Sequence, residues 1–214
     1  GPTINANVVD AFTFHHSVTP QTARYDGNWK KECDVIANLH INQGWDGIGY
    51  RFVICSDGTV AYVGDLSHGG SAVANHNDHM FSACFIGNFT KELPTAIQVH
   101  SAHLLAKFFL TEMPQYPNLI NWDQIKGHKD FNMTACPGSN WTTGGDTLRD
   151  RIVTDRFNGY PNPQPVSAPE TTPVPVDPTI ELRRQLEEAN KKNATSEQKL
   201  KDVKQKLIDL SNSL

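Results

Sequence analysis

The sequence predicts an α/β domain with a mixed central β-sheet flanked by helices, followed by a Pro-rich linker and a C-terminal coiled-coil helix. Three observations carry that prediction. Short apolar runs near residues 8–15, 50–56, 60–63 and 82–89 interleave with helical periodicity at 28–43 and 94–113, an order that places helices around a sheet. Two of the runs are joined by Ser56-Asp57-Gly58-Thr59, whose Asp-Gly centre suits a tight hairpin, so the sheet includes an antiparallel pair. Beyond Tyr160 the composition changes: seven prolines fall between 161 and 178, and residues 179–214 contain neither Gly nor Pro.

Taken in order, Val8 to His15 predicts a strand with His15 at its end. Asn28 to Gln43 predicts an amphipathic helix, because Cys33, Ile36, Ala37 and then His40 or Ile41 recur at helical spacing; Gly44-Trp45-Asp46-Gly47 stops it. Tyr50 to Ser56 and Val60 to Val63 are the two arms of the hairpin. A loop from Ser67 to Met80 leads into an apolar strand, Ser82 to Phe89. Pro94 to Met113 is the clearest helix, with Pro94 in its first turn and an apolar stripe of Ile97, His100 or Ser101, Leu104, Leu105, Phe108 and Phe109. A shorter helix within Gly145 to Phe157 closes the globular part, which spans 4–160.

Residues 161–178 form the linker, extended and semi-rigid because proline fixes φ and removes amide donors. In 179–214, Leu182, Leu186, Ala189, Asn193, Ser196, Leu200, Val203, Leu207, Leu210 and Leu214 follow spacings of four and three, a heptad seam. Asp177-Pro178 supplies an N-cap and a first-turn proline, and Asn193 at an a position favours one register and a dimer. The expectation is a homo-oligomer assembled through this helix.

Composition removes several classes of function. A net charge of -4 over 214 residues gives no basic footprint for nucleic acid. No run of 18 apolar residues exists to span a bilayer. Gly1-Pro2 resembles the scar of a removed expression tag, and no signal peptide is visible. Four cysteines are too few for a disulfide scaffold.

Chemistry concentrates in Lys126-Gly127-His128-Lys129-Asp130-Phe131-Asn132-Met133-Thr134-Ala135-Cys136-Pro137-Gly138. An imidazole and a thiol on one loop can aim at a common point if the loop folds back, and both are good zinc ligands. Catalytic zinc takes three protein ligands, and the best source of a third is Ala11-Phe12-Thr13-Phe14-His15-His16-Ser17. With nine histidines and four cysteines in the chain, the spacing alone favours a loop with a buried Cys and a solvated His.

Six short motifs then occur in order over residues 8 to 158: Phe14-His15-His16-Ser17, Gly49-Tyr50-Arg51-Phe52, Ser56-Asp57-Gly58-Thr59-Val60, Ser67-His68-Gly69, Ile86-Gly87-Asn88-Phe89 and Gly127-His128 through Cys136-Pro137-Gly138. In this the chain resembles the zinc-dependent N-acetylmuramoyl-L-alanine amidases, a family that includes phage lysozyme-like amidases and peptidoglycan recognition proteins. The resemblance implies a mixed sheet with helices packed around it, and Zn2+ held by His15, His128 and Cys136. It implies hydrolysis of the amide between muramic acid and L-alanine in bacterial peptidoglycan, as by a phage endolysin acting in the cell wall, periplasm or extracellular space.

Tyr50 matches a family tyrosine near the metal, able to stabilise an oxyanion or handle a proton; on its own it reads as a strand tyrosine packing its ring. Thr134 stands two residues before the Cys, where some relatives carry lysine, and offers a hydroxyl without charge. Cys84 stands where some relatives carry a glutamate base and reads as a buried small hydrophobe. His68 matches a cleft histidine that contacts substrate. His16 packs or hydrogen-bonds nearby, and Cys33 and Cys55 read as core thiols. His76 and His79 fit a solvated loop better than a second metal site; His40, His100 and His103 read as structural or exposed. A peptidoglycan-binding module without turnover and a virion structural protein are the competing readings.

Overall fold

A computed structural model describes residues 1–19, 28–142 and 146–155. The linker at 161–178 and the coiled-coil helix at 179–214 lie outside the described residues. Five strands, β1 (Ala11–His16), β2 (Phe52–Ile54), β3 (Val60–Tyr62), β4 (Met80–Phe85) and β5 (Ile125–Gly127), form one sheet in the order β3-β2-β4-β1-β5. The sheet is mixed, as expected: β1 runs parallel to β4 and β5, β2 runs parallel to β4, and β2 pairs antiparallel with β3. The Asp-Gly turn closes that hairpin, with Gly58 at φ +85° and Asp57 Oδ1 accepting from the Thr59 N–H at 2.8 Å.

Alternation along the strands assigns the two faces. Phe12, Phe14, Phe81, Ala83 and Phe85 point into the main core, built with α2 (Ala96–Glu112) and α3 (Leu148–Thr154) through Val99, Ala102, Leu105, Phe109, Leu148 and Ile152. On the opposite face, α1 (Trp29–Asn42) packs Cys33 and Ile36 against Val53, Cys84 and Ile86, while Ala11 and Met80 meet Val73 of the long loop.

Each helix starts where side-chain chemistry supplies a cap. Asn28 accepts from the Lys31 N–H, and Thr95 and Gln98 form a reciprocal capping box. Pro94 therefore precedes the N-cap of α2 and lies outside its first turn. The buried face of α2 also differs from the predicted stripe. Gln98, Val99, Ala102, Leu105, Ala106 and Phe109 are buried, whereas Leu104 is 50 % and Phe108 48 % exposed. Small and polar residues carry this face because the helix lies against the ends of strands whose carbonyls need partners. Gln98 Nε2 donates to Ile86 O at 2.9 Å and Ile54 O at 3.3 Å. A buried Glu32 plays the same part for α1, accepting from the Ser56 N–H at 2.9 Å and from its hydroxyl.

Candidate metal centre

The parallel register brings the two candidate ligand histidines level. Phe14 pairs with Gly127 across β1 and β5, so the next residues, His15 and His128, leave that pair side by side. Their ring centroids are 4.7 Å apart. His15 is buried and shares its level with Cys84 on β4, on the face not covered by α2 and α3. His128 opens a 3-10 turn, after which the chain folds back and Lys129 N–H donates to Cys136 O at 2.9 Å. That return places Cys136 Sγ 3.5 Å from His15 Nδ1. One potential ligand atom from each of His15, His128 and Cys136 lies within 4.8 Å of the others, the only such group of three or more among the described residues.

One of these spacings matches a small tetrahedral ion. Zinc bonds of about 2.0–2.3 Å imply ligand–ligand edges of roughly 3.3–3.6 Å, and the observed sulfur–nitrogen edge is 3.5 Å. The protonation states suit it as well. Burial, then the charges of His128 and His16, hold the His15 pKa well below its usual value. Burial also lowers that of His128, opposed by its hydrogen bond to Asn132. Both rings are therefore neutral with a lone pair to give. Burial pushes the Cys136 thiol up to about 12, opposed by the His16 N–H and by Lys129. A cation must displace that proton to engage the sulfur. His15 Nε2 is buried and makes no hydrogen bond, and Nδ1 meets the Cys136 sulfur. An ion taking Nδ1 would replace this sulfur–nitrogen contact with two metal bonds, so the residues present fit a divalent, borderline-soft metal ion.

The surroundings are fixed by aromatic contacts. The Tyr50 ring lies tilted 5.0 Å from that of His15 and 5.5 Å from that of His40, and His40 lies 4.5 Å from Trp45. His40 Nδ1 accepts the Gly49 N–H at 3.0 Å, which holds the segment carrying Tyr50. Burial, with Cys84 and Cys136 alongside, raises the Tyr50 phenol well above its ordinary pKa. Cys84 is fully buried in an apolar cluster against which Tyr50 packs, as the reading of a small hydrophobe expects. Thr134 Oγ1 accepts from the Cys136 N–H at 3.2 Å. His68 sits apart from the three, exposed beside Ser67 and Asp65.

The other histidines have local duties. His16 Nδ1 accepts the Phe89 N–H at 3.0 Å. His79 bonds Asp10 at 2.7 Å and His76 at 3.2 Å, so this pair is tied down rather than simply solvated. His100 and His103 face Asp155.

The sequence profile of the N-acetylmuramoyl-L-alanine amidases matches residues 5–139. The chain belongs to that family. Relatives within it include a Sus scrofa N-acetylmuramoyl-L-alanine amidase, 38 % identical over 102 residues, or 45 % of this chain and 16 % of that protein. A peptidoglycan-recognition protein of Drosophila melanogaster is 32 % identical over 130 residues, 58 % of this chain and 65 % of that protein. Among solved structures, the N-acetylmuramoyl-L-alanine amidase LysC from Clostridium intestinale aligns with a TM-score of 0.55 at 27 % identity, covering 72 % of this chain and 89 % of that one. The match spans only about a sixth of the length of the pig amidase and a fifth of a human protein of the same name.

Proposed function

We propose that this chain is a zinc-dependent N-acetylmuramoyl-L-alanine amidase that cuts the bond between muramic acid and L-alanine in bacterial peptidoglycan, acting on the cell wall as a phage endolysin does. The observation that carries this reading is the convergence of two neutral imidazoles and one thiol on a sheet face free of α2 and α3. The resemblance of the fold to LysC supports it. Zinc bound there would supply Lewis acidity, polarising the scissile carbonyl and making water a stronger acid.

The chain's own groups would then act on the amide. Tyr50 stays protonated across the physiological range, so its O–H donates to the carbonyl oxygen as negative charge develops, and it does not serve as a base. Thr134 already accepts from the Cys136 N–H, leaving its hydroxyl proton to donate outward without adding charge. The His16 N–H, 3.4 Å from Cys136 Sγ, steadies the sulfur once deprotonated. His68, exposed on the loop after β3, is assigned to contact with the peptidoglycan.

A binding module without turnover is the second reading, favoured by one observation: no carboxylate joins the three candidate ligands among the described residues. Zinc content measured together with release of L-alanine amino termini from purified walls separates the two. We expect about one zinc per chain and turnover, with Cys136→Ala losing both while still folding. Binding of walls by zinc-loaded protein that frees no amino termini would leave only the module.

A further inference from the structure

A single oxygen of Asp130 holds both ends of the ligand loop. Its Oδ2 accepts the Gly127 N–H at 2.8 Å and the Trp141 indole N–H at 2.8 Å. Gly127 immediately precedes His128, and Trp141 follows Cys136 by five positions. One carboxylate therefore ties the strand entering the loop to the segment leaving it, on either side of both candidate ligands. The joint is tight. Trp141 is fully buried, and a Cβ added to Gly127 would lie 2.6 Å from the Trp141 ring and 2.8 Å from Pro137 Cδ. Between the clamped ends, the hydrogen bond from Lys129 N–H to Cys136 O at 2.9 Å sets how the loop folds back.

We propose that Asp130 is the positioning residue for the metal ion: without touching it, the carboxylate fixes the separation of His128 from Cys136 by pinning Gly127 and Trp141. The role rests on reading the three residues as a metal site. A free loop spanning His128 to Cys136 samples many end separations, whereas a tetrahedral ion requires edges of roughly 3.3–3.6 Å. An acceptor that is charged and takes two N–H bonds narrows that distribution more than a neutral one could.

The test uses the full chain and reads the metal directly. Zinc affinity is measured by competition with a chromophoric chelator, and site geometry by the visible bands of the cobalt-substituted protein. Asp130→Ala should lose roughly tenfold or more in zinc affinity, as outer partners of metal ligands do when removed, with weakened and shifted cobalt bands. Thr95→Ala, which removes the cap of α2 away from the loop, should lower the thermal midpoint and leave both metal readouts at wild type. Should Asp130→Ala fail to fold, Asp130→Asn keeps the size of the side chain, removes its charge, and should weaken zinc in the same direction. Wild-type affinity and spectra in the variants would overturn the role of Asp130 alone. A wild-type chain that takes up neither ion would remove the metal site and this role together.

Discussion

The Tyr50 hydroxyl lies where burial, with Cys84 and Cys136 alongside, makes ionisation costly, so the role we propose for it is that of a hydrogen-bond donor. Tyr50→Phe keeps the ring against His15 and His40 and deletes one donor. We predict a fall in turnover of about 100-fold, the usual effect of removing one oxyanion donor, with zinc content unchanged; parallel assays of wall digestion and metal content check it. His16 yields a second prediction. Burial, then the charge of His128, lowers its pKa from 6.5 to about 4. Above pH 6.5 neither folded nor unfolded chain binds this proton, and the group is neutral to stability. As pH falls from 6.5 to 4 the unfolded chain takes up a proton that the folded one refuses, so stability declines, and it levels off below. The loss is about 2 kcal/mol once residual screening is allowed for, and His15 and His128 push the same way. Thermal midpoints of the chelator-treated protein should therefore drop steadily between pH 7 and 4.5; a flat profile would contradict the burial argument.

At the level of elements, Gln98 shows why α2 was legible in extent and misjudged in orientation. Periodicity counts apolar residues, yet the helix's buried face carries a glutamine that caps its own N-terminus and satisfies Ile54 and Ile86 on two strands. Gln98→Ala takes the amide donor from the buried Ile86 carbonyl, while Ile54 O keeps the Ile86 N–H at 3.0 Å. The expected cost is about 2–3 kcal/mol, read as a lower urea midpoint with zinc affinity unchanged; a loss below about 0.5 kcal/mol would mean water replaces the amide. The same limit hid β5. Three residues, Ile125-Lys126-Gly127, are too few for an alternating pattern, and their strand character comes from pairing with β1. The two histidines and the cysteine were recognisable as ligand types, but their convergence depended on that unseen strand, which sets His128 level with His15. Asp130 escaped notice for a related reason: it joins Gly127 to Trp141, and those two become neighbours only after folding.

For the whole molecule, one sheet face is closed by α2 and α3, while the other, with α1 and the long loop on it, carries all three candidate ligands within residues 15–136. All three candidate ligands lie within residues 15–136, so we predict that the proposed catalysis and the assembly are separable by truncation. The heptad seam from Leu182 to Leu214 predicts self-association, weakened in its middle by Ala189, Asn193 and Ser196. Lys192, Lys199 and Lys206 flank the seam at seven-residue spacing, where a parallel pair would set like charges together. Salt should therefore tighten the association, because a Debye length of about 10 Å at 0.1 M shrinks to about 3 Å at 1 M. Sedimentation of the full chain should give a species larger than a monomer, more populated at high salt, while a chain ending at Tyr160 stays monomeric and takes up the same zinc per chain. A full-length monomer at every salt concentration would rule out assembly through the seam, and loss of zinc from the shortened chain would show that the site needs more than the residues that form it.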